Sequence, residues 1–231
     1  MSQLSIKLGF WSAFLSAVAF IVFTICFVAI LVIGPIFIWT DLSTYVAYFN
    51  DNNQIFQHLA RLTMLLFGPL FIVMLNSIHD YTADDKKILT RIGISFGAGF
   101  AILICINYFV QLSVVRQNIE KGHLEGLIQI VQANPASVIS AINMLGWSLF
   151  LGMSSLFVGP VFSGSRLKKT IKIMFLLNGI FCILGGIGYV FELTLLLFLS
   201  INFGMGGSVT IITILLCVLF KRLEKSFPLE V

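Results

Sequence analysis

The sequence predicts an all-α, polytopic bundle of six transmembrane helices, with the N- and C-terminal ends both on the cytoplasmic side. Three observations predict it. The 231 residues are 58% hydrophobic and 10% charged, whereas soluble domains carry roughly 25% charged residues. The mean hydropathy of +1.03 exceeds what a water-soluble core of this length can hide, so a bilayer is the solvent for most of the chain. The cationic residues fall into short segments that alternate between rich and poor. Lys7, Lys86, Lys87, Arg91, Arg166, Lys168, Lys169, Lys172, Lys221, Arg222 and Lys225 occupy segments that share one side. Only Arg61, Arg116 and Lys121 occupy the other. Cytoplasmic loops keep the Lys and Arg excess, which gives the N-in, C-in orientation.

Each span has its own signature. Lys7 precedes an uncharged run, Leu8–Thr40. A signal-peptide core is only roughly 7–15 residues, so this run reads as a retained first span, 10–38. As a single helix it exceeds a hydrocarbon core of about 30 Å, and Gly34-Pro35 is its natural break. Trp11 and Trp39 mark its two interfaces. A polar loop, Asp41 to Arg61, leads to span two, 57–78, where Gly68-Pro69 predicts a freed carbonyl and a kink. His79 and Asp80 begin the next loop. Span three, 92–115, opens on Gly93 and Gly97, a small-xxx-small pair that permits close helix approach.

The longest loop follows, Arg116 to Pro135. In it Leu124, Leu127, Ile128 and Val131 have amphipathic helical spacing. They form either a surface-lying turn on the membrane or a lid packed on the bundle. Ala141–Phe162 is a charge-free stretch that runs into Arg166, Lys168, Lys169 and Lys172, a span with a basic stop. It defines span four, 138–162. Spans five, 171–191, and six, 193–220, are separated by little more than Glu192. Gly204, Gly206 and Gly207 interrupt span six, and a short charged tail from Lys221 frays beyond it.

Polar side chains at membrane depth are expensive and mark function or helix contacts. Arg61, with His58 one turn before it, enters span two. Asn107 and Gln111 stand one turn apart on span three, Asn143 and Trp147 one turn apart on span four. Glu192 caps span five and Asn202 lies two turns into span six. Arg61, Asn107, Gln111, Asn143, Trp147, Glu192 and Asn202 form the candidate ligand site, an outward-facing polar pocket with Arg61 and Glu192 as its charged elements. The competing reading makes them separate interhelical hydrogen bonds. Asn76 and Asn178 read as helix–helix hydrogen-bonding residues.

Several classes are excluded or lack a signal. Cys26, Cys105, Cys182 and Cys217 are scattered through apolar runs without metal or disulfide spacing. Walker, Rossmann, HExxH and GxSxG patterns are absent, so no cofactor and no metal is expected. The basic residues form no stripe, so no nucleic-acid partner is expected either. The partners are the bilayer itself and, through small-residue faces such as Ala13 and Ala17, a second membrane protein or a second copy.

From about Leu145 to Glu192, a Gly-rich span, a Ser-Gly basic turn and a Leu-rich span ending Gly-x-Gly-Tyr follow one another. Gly146, Phe150, Gly152, Ser163, Gly164, Gly179, Gly186, Gly188 and Tyr189 carry this pattern. It resembles a family of bacterial integral membrane proteins of unknown function. The resemblance implies a bacterial cytoplasmic membrane and nothing about chemistry. The sequence therefore favours a non-enzymatic protein that handles a small or lipid-like ligand, as transporter, capture subunit or sensor. The alternatives are an intramembrane enzyme acting on a lipid or isoprenoid, built on Arg61, His58 and Glu192, and a structural or partner-binding membrane protein.

Overall fold

The computed structural model describes residues 1–33 and 35–226. Among these, the helices in chain order are α1 (Gln3–Ile33), α2 (Leu42–Asp51), α3 (Ile55–Tyr81), α4 (Asp84–Glu120), α5 (Val138–Val161), α6 (Arg166–Val190) and α7 (Thr194–Ser226). All but the short α2 are long and apolar enough to cross a membrane, and the described residues contain no strand. The all-helical, six-span expectation holds.

Most helix ends lie outside the expected limits. Hydropathy registers only the stretch in hydrocarbon, while i→i−4 hydrogen bonding continues through charged turns. So α4 starts at Asp84 rather than 92, α6 at Arg166 rather than 171, and α7 runs on to Ser226 instead of fraying from Lys221. Helix α1 is displaced toward the N-terminus, beginning at Gln3 and ending at Ile33. Pro35 is already outside it, since a proline ring clashes with the carbonyl four residues back. Gly34, the other half of the expected break, lies outside the described residues, as do residues 227–231.

The six spanning helices form a closed ring. Chain neighbours α3–α4, α4–α5, α5–α6 and α6–α7 pack together, α1 packs on α3, and α7 returns to α1. The centre holds Phe67, Phe100, Trp147, Phe175 and Leu216, all buried. Lipid tails are as apolar as leucine, so close packing rather than water exclusion holds such helices together. Gly93 and Gly97 supply it as expected. A Cβ on Gly93 would lie 2.5 Å from Val158 Cγ2, and one on Gly97 would collide with Leu75. The Ser154 hydroxyl donates to the carbonyl of Gly93 at 2.8 Å. Asn178 ties three helices: its Nδ2 donates to Ser155 Oγ at 2.7 Å and its Oδ1 accepts from Ser208 at 3.0 Å. Asn76 does not act this way. It is exposed, and its amide donates to Ile72 O of its own helix.

Two buried polar details replace sequence expectations with specific partners. His79 and Asp80 do not begin the loop but belong to the last turn of α3, and His79 has a partner on α4. Its Nδ1 lies 2.6 Å from the buried Thr90 hydroxyl. That hydroxyl donates to Lys87 O, so the imidazole N–H is the donor between them. Pro69 leaves helix α3 continuous but has no N–H for the carbonyl of Leu65. The Cys105 thiol on α4 donates to that orphan at 3.4 Å. Gly68 makes the approach possible, since a Cβ there would lie 2.8 Å from the Cys105 sulfur.

A cap closes one end. Tyr45 and Phe49 of α2 pack with Val115, Ile119, Leu127 and Val131 in a second buried cluster. Trp39 packs into this cap beside Phe37 and Tyr45, so it is a cap residue and not a lipid anchor, whereas Trp11 is exposed on α1. Asp41 starts α2 by accepting from the Thr44 N–H and from the Ser43 and Thr44 hydroxyls. These donors hold its carboxyl down at about 2, so the cap residue stays ionised at any physiological pH.

The Pro69–Leu65–Cys105 contact predicts a coupled pair. Cys105→Ala should lower stability by roughly 0.5–1 kcal/mol in the native background, the scale of membrane hydrogen bonds. In Pro69→Ala, where Leu65 O regains a backbone donor, the same change should cost close to nothing. Thermal unfolding of the four-member mutant cycle reads this directly.

Candidate functional site

Helices α1 and α7 pack together through the Gly206–Ser226 part of α7, most closely at the end away from the cap. Gly9 seats the Phe220 ring, whose Cζ would stand 2.6 Å from a Cβ at that position. Toward the cap the two helices part around a cavity of about 800 Å³. One cause is visible in α7, whose Leu199–Met205 segment is a π-turn. A single inserted residue rotates the following side chains by about 100°, and π-turns gather at functional sites. Helix α6 accommodates the bulge with glycines. Gly185 admits Ile201, and at Gly188 a Cβ would lie 2.6 Å from the Leu197 nitrogen. A second π-turn, Gly146–Phe150 of α5, carries Trp147.

The mouth of the cavity is apolar apart from Thr24 and Asn202 at its exposed rim. Ile25 and Val28 of α1 face Phe198 and Phe203 of α7, and all four are exposed. In a bilayer they meet hydrocarbon, so the opening is sideways into lipid. The back wall is Met64, Tyr108, Asn143 and Trp147, with Gln132 overhead. Trp147 is only 5% exposed. It packs edge-on to Phe20 and Phe100, with centroids at 6.3 and 4.9 Å, and stacks beside Phe67. It is therefore a core residue with one edge on the cavity.

The expected pocket is divided. Asn143, Trp147 and Asn202 line the cavity. Asn143 is 7% exposed and its Oδ1 has no hydrogen-bond partner. Asn202 sits at the exposed rim and donates to Phe198 O of its own helix. Asn107 is wholly buried, with neither amide atom partnered. Gly146 packs on Phe100, Leu103 and Ile104, so Asn143, one turn nearer the cap, stands across from Asn107.

Arg61, Asn107, Gln111 and Glu192 do not line the cavity, which corrects the outward charged pocket. Arg61 is folded under the cap. Its Nη2 makes long bonds to Tyr45 Oη and Gln57 Oε1, 3.5 and 3.4 Å, and its buried Nη1 is unpartnered. His58 lies beside Phe49. Helix register puts Arg61 behind Tyr108, because Leu65 and Gly68 already oppose Cys105 and Ala101. Glu192 is exposed in the α6–α7 turn with φ of +57°, a left-handed link between helices. The three groups an acid–base reading would need do not converge.

Gln111 has a different task. Its Nε2 donates to Ile130 O at 2.7 Å and its Oε1 accepts from Gln132 N at 3.0 Å. Ser137 and Ser140 hydroxyls bind Val131 O and Gln132 O, and the Tyr189 hydroxyl binds Pro135 O at 2.7 Å. The 121–137 loop is thus a lid stitched to the bundle. Leu127 and Val131 are buried under it and Ile128 is exposed, so only part of its apolar stripe is used. The Gln111 clamp sets Gln132 over the cavity.

Sequence reading missed Tyr108, Gln132 and Thr24. The Tyr108 hydroxyl lies by the Trp147 indole and the Gln132 amide. Its position next to Asn107 in a span was the available signal. Gln132 had none, because its placement depends on the lid. Ala13 and Ala17 are buried inside the bundle rather than on a free face. Among the described residues no group of three His, Cys, Asp or Glu gathers, and all four cysteines are free thiols. Comparison with protein-family models, with curated proteins and with solved structures finds no match.

Gln111→Leu should release the lid. Amide exchange across 127–134 is expected to speed up by one to two orders of magnitude, on the basis of roughly 1–3 kcal/mol for stranding the Ile130 carbonyl and Gln132 N–H. Protection in α3 and α6 should stay unchanged.

Proposed function

We propose that this multi-pass membrane protein captures a lipid-like ligand from the bilayer through the opening between α1 and α7. The observation that carries the reading is the cavity itself: a sideways mouth that is apolar apart from Thr24 and Asn202 at its exposed rim, with Tyr108, Gln132 and Asn143 as the polar groups deeper in. Pockets for small molecules have this size and this sparse polar placement. The lining stretch of α1, Phe20–Leu31, is about 17 Å long at 1.5 Å per residue. That matches one leaflet of a hydrocarbon core near 30 Å.

The orientation belongs to the same proposal. The cation-rich loops are taken as cytoplasmic, so the cap and the polar end face outward. The Gly-x-Gly-Tyr resemblance supports a bacterial cytoplasmic membrane. Capture, transport and sensing all begin with this binding step. The enzymatic reading lacks its convergent acid and base, and the cavity makes binding the better-supported role.

Gly207 offers a clean test. It lines the cavity, and a Cβ there meets nothing within 4 Å. Gly207→Trp should fill the mouth from a Cβ position that is open, keep the thermal stability close to native, and remove photo-crosslinking of a diazirine-bearing lipid to α1 and α7. Unchanged crosslinking to these helices in the folded variant would refute lateral capture.

A further inference from the structure

Resting on that reading, the uncommitted donors of the cavity point to the class of group that it seats. We propose that the back wall binds an uncharged hydrogen-bond-accepting oxygen, an ester or ketone carbonyl carried on a long apolar chain, and that Asn143 is the residue that donates to it.

A free N–H or O–H in hydrocarbon is costly, and the helices of this chain spend theirs on their own backbone. Asn76, Asn118 and Asn202 each donate to the carbonyl four residues back, at 2.9, 2.8 and 3.0 Å. Thr24 and Thr210 do the same, to Phe20 O and Gly206 O, both at 2.8 Å. Asn178, buried between helices, donates to Ser155. Asn143 departs from this pattern. It is more than nine-tenths buried and lines the cavity, and its Oδ1 is sealed inside the wall. Its Nδ2 is the atom with access to the cavity, and it donates to no group among the described residues.

The cavity is therefore graded in polarity. Thr24 and Asn202 at the exposed rim, and Thr210 on α7, have spent their protons and show only lone pairs. At the back wall the unspent groups are donors. Beside the Asn143 amide, the Tyr108 oxygen lies by the Trp147 indole, whose N–H can only donate, so the Tyr108 O–H is a second donor at this wall. A carbonyl oxygen brings two lone pairs and no proton. It matches these donors and asks nothing of the sealed Oδ1. A donor-only head meets donors. An ionised head also lacks a counter-ion, since the lining contains no Asp, Glu, Lys, Arg or His, and an unpaired charge costs far more to bury than a bonded carbonyl.

The test uses the full-length protein in nanodiscs. Tetradecane bearing a diazirine reports occupancy by crosslinking to α1 and α7, and four competitors of similar length are added at matched mole fraction in the bilayer: methyl dodecanoate, tetradecane, ionised dodecanoate and dodecylammonium. The ester should compete about fivefold better than tetradecane, the scale of one neutral hydrogen bond, and at least about tenfold better than either ion. Asn143→Leu should bring the ester to within about twofold of tetradecane while leaving crosslinking of the alkyl probe near native, which also reports that the variant is folded. Asn143→Ser is the milder form of the same test, because a helical serine hydroxyl turns back on the carbonyl one turn earlier, and it should have the same effect. An ester no better than tetradecane, an ion that matches the ester, or an ester preference that survives either substitution in a variant that still crosslinks the alkyl probe would overturn the carbonyl assignment while leaving lateral capture intact. Absence of alkyl-probe crosslinking in the native protein would overturn both.

Discussion

Hydrocarbon offers a backbone no hydrogen bonds, so every polar group in this bundle must close on another part of the chain. The structure follows from how that closure is met. Where Pro69 leaves the Leu65 carbonyl open, a thiol from the next helix fills it, and Gly68 makes room. Asn178 distributes its two polar ends between Ser155 and Ser208. At the cap, Gln111 takes both backbone groups that the lid turns inward. Ser137, Ser140, Ser154 and Gln111 are fasteners, each spent on a defined carbonyl or amide.

Against that background the exceptions are informative. Beside Ser16 Oγ, Gln54 Oε1, His58 Nδ1 and Arg61 Nη1, Asn107 of α4 keeps both amide atoms unpaired and Asn143 of α5 keeps its Oδ1 unpaired; these two asparagines are the exceptions nearest the cavity. Both stand at the cap-side half of the ring, where α7 is bulged and α1 has drawn away from it. The cavity is bordered by the π-turns of α5 and α7, and a third π-turn, Gln111–Val115 of α4, lies under the lid, while the opposite end is sealed by Phe220 on Gly9 and Val158 on Gly93.

The number of spanning helices was legible in the sequence, because twenty-residue apolar runs and basic stops are properties of local composition, whereas their order around the ring is seen only in the structure. Close-approach glycines were legible too: Gly93 and Gly97 do what their spacing implies. The site was only half legible. Asn143, Trp147 and Asn202 could be chosen as polar or aromatic residues at depth, and they do line the cavity. Arg61 and Glu192 misled because depth along a helix says nothing about azimuth. Arg61 points under α2, a helix whose position depends on Asp41 and on the chain leaving α1 at Pro35. Glu192 points out of a turn. Gln132 lay in a loop that reads as polar linker until Gln111 is seen to hold it.

The central claim is that a lipid chain reaches the interior of this ring, and one fluorophore sits where the claim can be checked. In a Trp11→Phe, Trp39→Phe variant, Trp147 is the sole indole, nearly enclosed by protein yet edging the cavity. Reconstituted with lipids brominated along the acyl chain, its emission should be strongly quenched, because a bromine on a seated chain comes into contact with the ring. Quenching no greater than for a tryptophan sealed in the core would mean that no chain enters, and the account of this protein as a lateral lipid receptor would be wrong.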